Sequence, residues 1–242
     1  MKIALFTTET LHHIFYAKCI SQYCSELVIF NEINQDITNY QENNSIDKNE
    51  NFEFHQKQYT FEKKLWFEEK QLSLADIAKT FAFDSLNSPE AISQISNFKF
   101  DIGFVYGTSR LSSDFINSFV QPLYNFHGGD TVLYRGLDSH LWALYHKDRN
   151  GLILTMHLVD EILDNGDIIF KTSLPISKDS ELYKLRSITT YECINLTKIT
   201  LSCFKNSITL PRRSQCKTGR YYSSIPKELI SKCESNFLKM YC

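Results

Sequence analysis

The sequence has no long apolar run, no excess of basic residues and no closely paired cysteines, and each absence excludes a class of protein. Without a run of about 18 apolar residues, no segment is predicted to span a membrane. The 26 Lys and Arg are matched by 28 Asp and Glu, which gives a formal net charge of −2. Nucleic-acid binders usually carry a basic surplus, so we expect neither a nucleic-acid partner nor a membrane partner.

The spacing of the cysteines argues against a metal centre or a disulfide framework. Seven cysteines occur, an odd number, and none of them form a CxxC pair. We therefore expect unpaired thiols, no metal and a reducing, cytoplasmic environment. Residues 1–6 have the pattern of a strand rather than the charged and apolar regions of a secretory signal.

The first thirty residues predict a βαβ unit. Residues 2–6 and 27–30 are short apolar runs typical of buried strands, and residues 11–23 between them have helical spacing. Such a unit implies a parallel sheet with a right-handed crossover. Residues 31–53 are rich in Asn, Gln and acidic side chains, and we expect them to form a surface excursion from the sheet.

The rest of the chain predicts further strands and helices around the same sheet. The remaining strands are expected at residues 101–106, 123–126, 152–159 and 167–174. The remaining helices are expected at residues 61–83, 89–95, 112–119, 139–146 (capped by Asp138) and 181–204, before a final amphipathic helix. We predict an α/β fold with a mostly parallel twisted sheet that becomes mixed at its C-terminal strands. Residues 1–176 would form one domain, and residues 177–242 a long helix and short helical appendage without independent stability.

Polar side chains lie at the end of the strand predicted at residues 123–126. Asn125 and His127 stand two residues apart, so the period of a strand turns both side chains to one side. The carboxyl ends of strands are where open α/β sheets form their sites. Asp164 lies in an Asp-Asn-Gly turn. Taken singly, each residue has an ordinary structural explanation, since such a turn favours Asp in any case.

The order of motifs around these residues is more specific than any one of them. The chain carries in succession Asn125-Phe126-His127, Tyr134-Arg135-Gly136, Trp142-Ala143-Leu144, Thr155-Met156-His157-Leu158-Val159-Asp160 and Leu163-Asp164-Asn165-Gly166-Asp167-Ile168-Ile169. This order resembles the folate-dependent formyltransferase family, well over residues 85–175 and loosely over residues 1–30. The resemblance implies a Rossmann-like formyltransferase fold, and 10-formyltetrahydrofolate, a reduced folate, as the formyl donor.

The resemblance also implies roles for individual residues. Asn125, His127 and Asp164 would be catalytic: the amide stabilises the formyl oxygen, the imidazole stabilises that oxygen or moves a proton, and the carboxylate orients the imidazole or accepts the proton. His157 would support them, either as a buttress or directly. The residues expected to border the folate are Arg110, Leu111, Val159, Asp160, Glu161 and Leu163.

Three places are candidates for binding the formyl acceptor. The turn with Thr10, His12 and His13 resembles the phosphate-holding turn of glycinamide ribonucleotide formyltransferases, although it lacks their glycines; a helix cap with exposed side chains is the alternative. Arg135 would meet a substrate phosphate or pin its own loop. Tyr222 would stack on a nucleotide base or pack against the sheet.

The loop after His127 departs from the better-known family members, which continue with a Pro- or Ser-Leu-Leu-Pro stretch where this chain has Gly128-Gly129-Asp130. The short segment after Pro175 and the lack of positive charge also disfavour tRNA as acceptor. We expect a nucleotide-linked amino sugar, with dTDP-4-amino-4,6-dideoxyglucose as the single best choice, in surface-polysaccharide (O-antigen) synthesis. Methionyl-tRNA, glycinamide ribonucleotide and a non-catalytic folate- or nucleotide-sugar-binding module remain alternatives. The helical tail could pair with a second copy, so a homodimer stays open.

Overall fold

A seven-stranded sheet forms the centre of the structure, a computed structural model that describes residues 1–33, 50–68 and 70–241. In chain order the strands of the described part are β1 (Lys2–Thr7), β2 (Glu26–Glu32), β3 (Lys79–Phe83), β4 (Ile102–Tyr106), β5 (Leu123–His127), β6 (Tyr134–Gly136), β7 (Ile153–Leu158), β8 (Ile168–Ser173) and β9 (Arg220–Tyr222). The large sheet has the order β3-β2-β1-β4-β5-β7-β8, and β6 pairs with β9 separately.

Helices cover both faces of the large sheet. Those of the described part are α1 (Leu11–Ile20), α2 (Glu50–Phe67), α3 (Pro89–Ser96), α4 (Ser113–Ser118), α5 (Ser139–Tyr145), α6 (Leu185–Lys205) and α7 (Ile230–Tyr241). Short 3₁₀ turns lie at Ser21–Tyr23, Leu74–Asp76, Arg149–Gly151, Leu182–Lys184 and Lys227–Leu229. None of these described helices combines the length and the apolar composition that a membrane span requires.

The strand pairing confirms the predicted mixed sheet. The pairs from β3 through β5 are parallel, and β7 and β8 join the sheet antiparallel. Strand β1 shows why the sheet is buried on both faces. Ile3 and Leu5 enter the apolar layer beneath α1, α2 and α6, while Ala4 and Phe6 enter the layer beneath α3 and α4. Continuous apolar strands of this kind are typical of parallel sheets covered by helices.

The helix predicted at residues 61–83 is wrong in its second half. Helix α2 ends at Phe67, Leu74–Asp76 forms one 3₁₀ turn, and Lys79–Phe83 is the edge strand β3. Phe81 pairs with Phe30 of β2, and their rings stack with centroids 5.7 Å apart. Pairing with a neighbouring strand therefore overrides the weak helical spacing, because aromatic residues suit a pleated, half-buried surface.

The surface excursion predicted at residues 31–53 is narrower than expected. Asn31 and Glu32 are buried residues of β2, and α2 already begins at Glu50. The prediction for residues 34–49 lies outside the described residues.

The C-terminal part of the described chain folds back on the sheet. Helix α6 packs against α1, and α7 packs against α5. Asp138 precedes α5 but its carboxylate makes no cap there; its Oδ2 instead accepts the backbone N–H of Ile225 at 2.9 Å. Asp138, predicted to cap α5, therefore binds the C-terminal segment at Ile225 instead. The boundary between residues 1–176 and 177–242 stays a prediction.

Phe6 offers a test of the layer beneath α3 and α4. Its fully buried ring stacks on Phe30 and meets Phe115 and Phe119 edge-on, with centroid distances of 5.0–5.5 Å. We expect Phe6→Ala to lower the free energy of unfolding by about 3–5 kcal/mol, because a large cavity remains. Denaturant unfolding measures this change. Val120→Ala, at a side chain 90 % exposed, is the control and should stay within about 0.5 kcal/mol of the unchanged chain. Equal effects of the two substitutions would contradict this packing.

Candidate active site

The register between β5 and β7 brings the polar residues of the two strands together. Asn125 lies opposite His157, and His127 lies opposite Thr155. Because side chains alternate along strands, all four point from one face of the sheet, while Phe126 and Met156 enter the apolar layer on the other face. The predicted alignment of Asn125 with His127 is confirmed, and the structure adds Thr155 to it.

His157 fixes the orientation of the Asn125 amide. Its Nδ1 lies 2.7 Å from the carbonyl oxygen of Leu158, which can only accept, so Nδ1–H is the donor. In the neutral ring Nε2 then accepts, and it lies 3.1 Å from Nδ2 of Asn125. One amide hydrogen of Asn125 is therefore directed at His157, and the second amide hydrogen stays available for a ligand.

His127 has one ring nitrogen held by the backbone and one that faces a carboxylate. Its Nε2–H donates to the carbonyl oxygen of Tyr134 at 2.8 Å, and its Nδ1 lies 3.4 Å from Oδ2 of Asp164. Burial lowers the pKa of His127 below its ordinary 6.5, and the charge of Asp164 opposes this shift. At neutral pH the Nδ1 atom can therefore take up a proton, and the neighbouring Asp164 carboxylate stabilises the imidazolium that results.

Asp164 is buried between the two imidazoles. Its Oδ1 lies 3.6 Å from Nε2 of His157, and its Oδ2 accepts the backbone N–H of Gly136 at 2.8 Å. Burial alone would raise the pKa of the carboxyl, but His127, His157 and the Gly136 N–H lower it from 3.8 to about 2. The site therefore holds an ionised carboxylate at neutral pH. The described residues contain no group of three His, Cys, Asp or Glu arranged to hold a metal ion.

The turn that carries Asp164 is held from two sides by side chains. Asp164 has a left-handed backbone, with φ +54°. The Nε–H of Arg135 donates to the Leu163 carbonyl at 2.7 Å, and Nε2 of Gln215 donates to the carbonyls of Asp164 and Gly166 at 3.0 and 2.9 Å. Gly166 is required by close approach, since a Cβ there would lie 1.9 Å from the Leu158 carbonyl oxygen. Nothing in the local sequence pattern indicated Gln215.

The divergent loop after His127 is tightly packed. The Thr155 hydroxyl donates to the carbonyl of Gly129 at 2.6 Å, and a Cβ at Gly129 would lie 2.7 Å from the Cβ of Ser139. Lys171 pairs with Asp130 at the outer end of the loop. The absence of side chains at residues 128 and 129 therefore allows the loop to lie against α5 beside His127.

The two segments predicted to border the folate meet in the structure. Arg110 donates from a guanidinium N–H to the carbonyl of Glu161 at 2.7 Å, and the buried side chain of Leu111 shares an apolar layer with Val159. Asp160 and Glu161 are exposed and Leu163 is half-buried. The folate-binding role of these residues stays a prediction.

A buried glutamate and an asparagine brace the first of these segments, and neither was identified from the sequence. Glu32 accepts the backbone N–H and the hydroxyl of Ser109 at 2.6 and 2.7 Å. Asn87 donates to the Arg110 carbonyl at 2.9 Å and accepts the N–H of Ser112 at 2.7 Å.

Thr10, His12 and His13 form a separate cluster at the start of α1. The Thr10 hydroxyl lies 2.8 Å from Nδ1 of His12 and 2.9 Å from Nδ1 of His13. Both rings are buried, so the alternative of exposed side chains is wrong for the histidines. Burial, together with the positive charge of Arg186, lowers the pKa of His13 to about 3. Nε2 of His13 is buried without a hydrogen-bond partner in the described residues.

Arg186, whose positive charge lowers the pKa values of His12 and His13, has no signal in the local sequence pattern. Its guanidinium donates to both carboxylate oxygens of the buried Glu62, at 2.8 and 2.6 Å. The two residues are 124 positions apart in the chain, so no local pattern could reveal them.

Tyr222 belongs to an aromatic cluster rather than standing free. Its ring centroid lies 5.0 Å from that of Trp142 and 5.5 Å from that of Tyr134, and its hydroxyl lies 3.4 Å from Nε2 of His146. Packing, one of the two predicted roles, is therefore observed, and base stacking stays a prediction.

Known proteins with similar sequences or structures support one family. A methionyl-tRNA formyltransferase from Caldanaerobacter subterraneus subsp. tengcongensis is 25 % identical over 164 residues, 66 % of this chain. The chain spans about half the length of that curated relative, 52 % of it.

Two crystal structures share the fold. The N-formyltransferase of Helicobacter canadensis, in complex with folinic acid and dTDP-3-aminofucose, has a TM-score of 0.61 at 13 % identity, covering 99 % of this chain and 82 % of its own. The phosphoribosylglycinamide formyltransferase of Anaplasma phagocytophilum has a TM-score of 0.57 at 15 % identity, covering 93 % and 99 %. These likenesses confirm the predicted formyltransferase fold.

The family model described as formyl transferase matches residues 1–192, which include β1 through β8. Of the residues that contact Asp164 or its turn, the range includes His127, Arg135, Gly136 and His157 but not Gln215. The chain therefore belongs to the formyl transferase family.

Proposed function

We propose that the protein transfers a formyl group from 10-formyltetrahydrofolate to the amine of a nucleotide-linked amino sugar, with Asn125, His127 and Asp164 as its catalytic residues. The observation that carries the proposal is the contact of the Asp164 carboxylate with two imidazoles on the face that also bears Asn125. Among the described residues, this arrangement joins a free amide N–H, an unprotonated ring nitrogen and an anion within one small volume.

The chemistry of formyl transfer matches these groups. The donor supplies an electrophilic formyl carbon, to which the acceptor nitrogen forms a bond as the bond to the folate nitrogen breaks. The second amide hydrogen of Asn125 stabilises the negative charge that develops on the formyl oxygen. Nδ1 of His127 takes the proton that the acceptor nitrogen loses, and this proton then passes to the departing folate nitrogen. Asp164, 3.4 Å from Nδ1, stabilises the imidazolium in between.

The two segments that meet at Arg110, residues 110–111 and residues 159–163, suit the reduced folate. A pterin ring has apolar faces and a polar edge. The half-buried Val159, packed in the same apolar layer as Leu111, offers an apolar surface, and the exposed residues 160–162 place backbone polar groups beside it. Arg110 joins the two segments through its hydrogen bond to the Glu161 carbonyl.

The acceptor is proposed from the relatives and from charge. The Helicobacter canadensis protein was crystallised with a dTDP-linked amino sugar, and it covers 99 % of this chain. Thr10, His12 and His13 at the start of α1 would meet the phosphates, since a helix N-terminus attracts anions. Within this class dTDP-4-amino-4,6-dideoxyglucose remains our best choice, in surface-polysaccharide synthesis in the cytoplasm.

Methionyl-tRNA is the second candidate acceptor, favoured by the 25 % identity to a methionyl-tRNA formyltransferase. The net charge of −2 weighs against it, because a protein that binds tRNA through many phosphates needs basic surface.

The acceptor class can be tested directly. Purified protein is incubated with 10-formyltetrahydrofolate and, in separate reactions, dTDP-, GDP- and UDP-linked amino sugars, glycinamide ribonucleotide and methionyl-tRNA. We expect one or more nucleotide sugars to gain the mass of a formyl group, with a dTDP-linked 4-amino sugar turned over best. Turnover of methionyl-tRNA or glycinamide ribonucleotide, with none of any sugar, would exclude the proposed acceptor class.

The catalytic roles predict large losses of turnover without loss of fold. Asn125→Ala removes an oxyanion donor and should reduce kcat by about 100- to 1,000-fold. His127→Ala removes a proton-transfer group and should reduce kcat by about 100- to 10,000-fold. Circular dichroism should be unchanged, and Asn150→Ala, at an exposed position, is the matched control. Rates close to the unchanged chain in both variants would refute the mechanism.

The pH profile should report His127. Burial lowers the pKa of His127, so kcat/KM should decline on the acid side below pH 6.5, where Nδ1 becomes protonated and can no longer accept a proton. Asp164 raises the pKa of His127, so Asp164→Asn should move this acid limb to lower pH while also reducing kcat. The measurement is kcat/KM between pH 4.5 and about 8. An acid limb that moves upward in Asp164→Asn would contradict the assignment.

A further inference from the structure

We propose that Gln215 is a positioning residue that sets the direction of the Asp164 carboxylate by holding the backbone of its turn. The inference rests on the catalytic role proposed above for Asp164. It adds a residue that lies beyond residues 1–192, the part of the chain matched by the family model.

The backbone at Asp164 needs such a restraint. A non-glycine residue at φ +54° occupies the left-handed region, which L residues avoid because the Cβ crowds the following carbonyl. Nε2 of Gln215 donates to the carbonyl of Asp164 and to that of Gly166, so one amide spans the turn. Fixing both carbonyls fixes the peptide plane that follows Asp164 and the one that follows Gly166, and the first of these restrains where the Cβ of Asp164 points.

The orientation of the Gln215 amide follows from its partners. Both partners are carbonyl oxygens, which only accept, so the NH₂ group must face them. The opposite orientation would place three oxygens together. Oε1 is buried and has no hydrogen-bond partner in the described residues, which is a cost that the two donated bonds offset.

The segment that carries Gln215 is attached along the same edge. Arg213 exchanges two backbone hydrogen bonds with Ile168, at 2.9 and 3.0 Å, and the Ser214 hydroxyl donates to Asp167 at 2.8 Å. Thr218 donates to the side-chain oxygen of Asn165 at 3.3 Å. The contacts of Arg213 and Ser214 therefore hold Gln215 beside the turn, and the exposed Thr218 adds only one long contact to Asn165. Arg135 holds the other side of the turn through the Leu163 carbonyl.

Three substitutions of Gln215 separate positioning from packing. Gln215→Met keeps the length and removes the donors, and Gln215→Glu places a carboxylate against two carbonyls. Gln215→Lys keeps N–H donors on a flexible chain. Thr218→Val is the matched control, because it removes a neighbouring contact of the same segment but leaves the Asp164 carbonyl untouched.

We expect Gln215→Met and Gln215→Glu to lose about tenfold or more in kcat, with the KM for the folate within about twofold, since small misplacements of a reacting group are costly. Gln215→Lys should recover part of the loss, and Thr218→Val should keep the original kcat. Melting temperatures of Gln215→Met and Thr218→Val should be similar. Unchanged kcat in Gln215→Met, or equal losses in Gln215→Met and Thr218→Val, would overturn the proposal.

A second measurement does not depend on turnover. The imidazole of His127 is titrated by NMR in the unchanged chain, in Gln215→Met and in Asp164→Asn. If Gln215 positions Asp164, the apparent pKa of His127 in Gln215→Met moves downward toward its value in Asp164→Asn. An unmoved titration in Gln215→Met would reject the positioning role. Failure of the unchanged chain to formylate any acceptor would instead reject the proposed function and leave this titration as the test of the geometry.

Discussion

An ionised carboxylate lies almost fully buried between two imidazole rings, and much of the surrounding structure follows from keeping it there. Removing a carboxylate from water costs several kcal/mol unless charges or hydrogen-bond donors replace the solvent. For Asp164 the N–H of Gly136 donates one hydrogen bond, and the imidazoles of His127 and His157 stabilise the carboxylate when either of them takes up a second proton. Each of them must hold its place without help from water. The backbone carbonyls of Tyr134 and Leu158 do this for the rings, since each accepts one ring N–H.

The change from parallel to antiparallel pairing explains how the carboxylate reaches this place. Strand β7 runs antiparallel to β5, so it ends with Leu158 beside Tyr124, away from His127. The connection from β7 to β8 must turn back across the sheet face for Asp164 to reach His127. Such a path needs a left-handed residue at Asp164 and a close approach at Gly166. A slip of one residue in the register would put Met156 on the site face in place of His157 or Thr155.

The parts of the site that the sequence predicted are those with local periodicity. Asn125 and His127 are two residues apart on a strand, and Asp-Asn-Gly is a turn signal within three residues. Strand β3 was missed because a short aromatic segment suits a helix or an edge strand equally well until β2 lies beside it. Gln215, Arg186 and Glu62 were missed because their contacts join residues 49 to 124 positions apart, and no local period records such a distance.

The histidines of this protein show that environment rather than residue type decides which ring can carry a proton. His12 and His13 are buried beside the positive charge of Arg186, and both effects lower their pKa values, to about 3 for His13. His127 is equally buried, yet the Asp164 carboxylate opposes the shift. Proton uptake near neutral pH is therefore favoured at His127 over the pair at α1. In the function proposed above, an anion at the start of α1 therefore meets neutral imidazoles, while the proton of the reaction moves at His127.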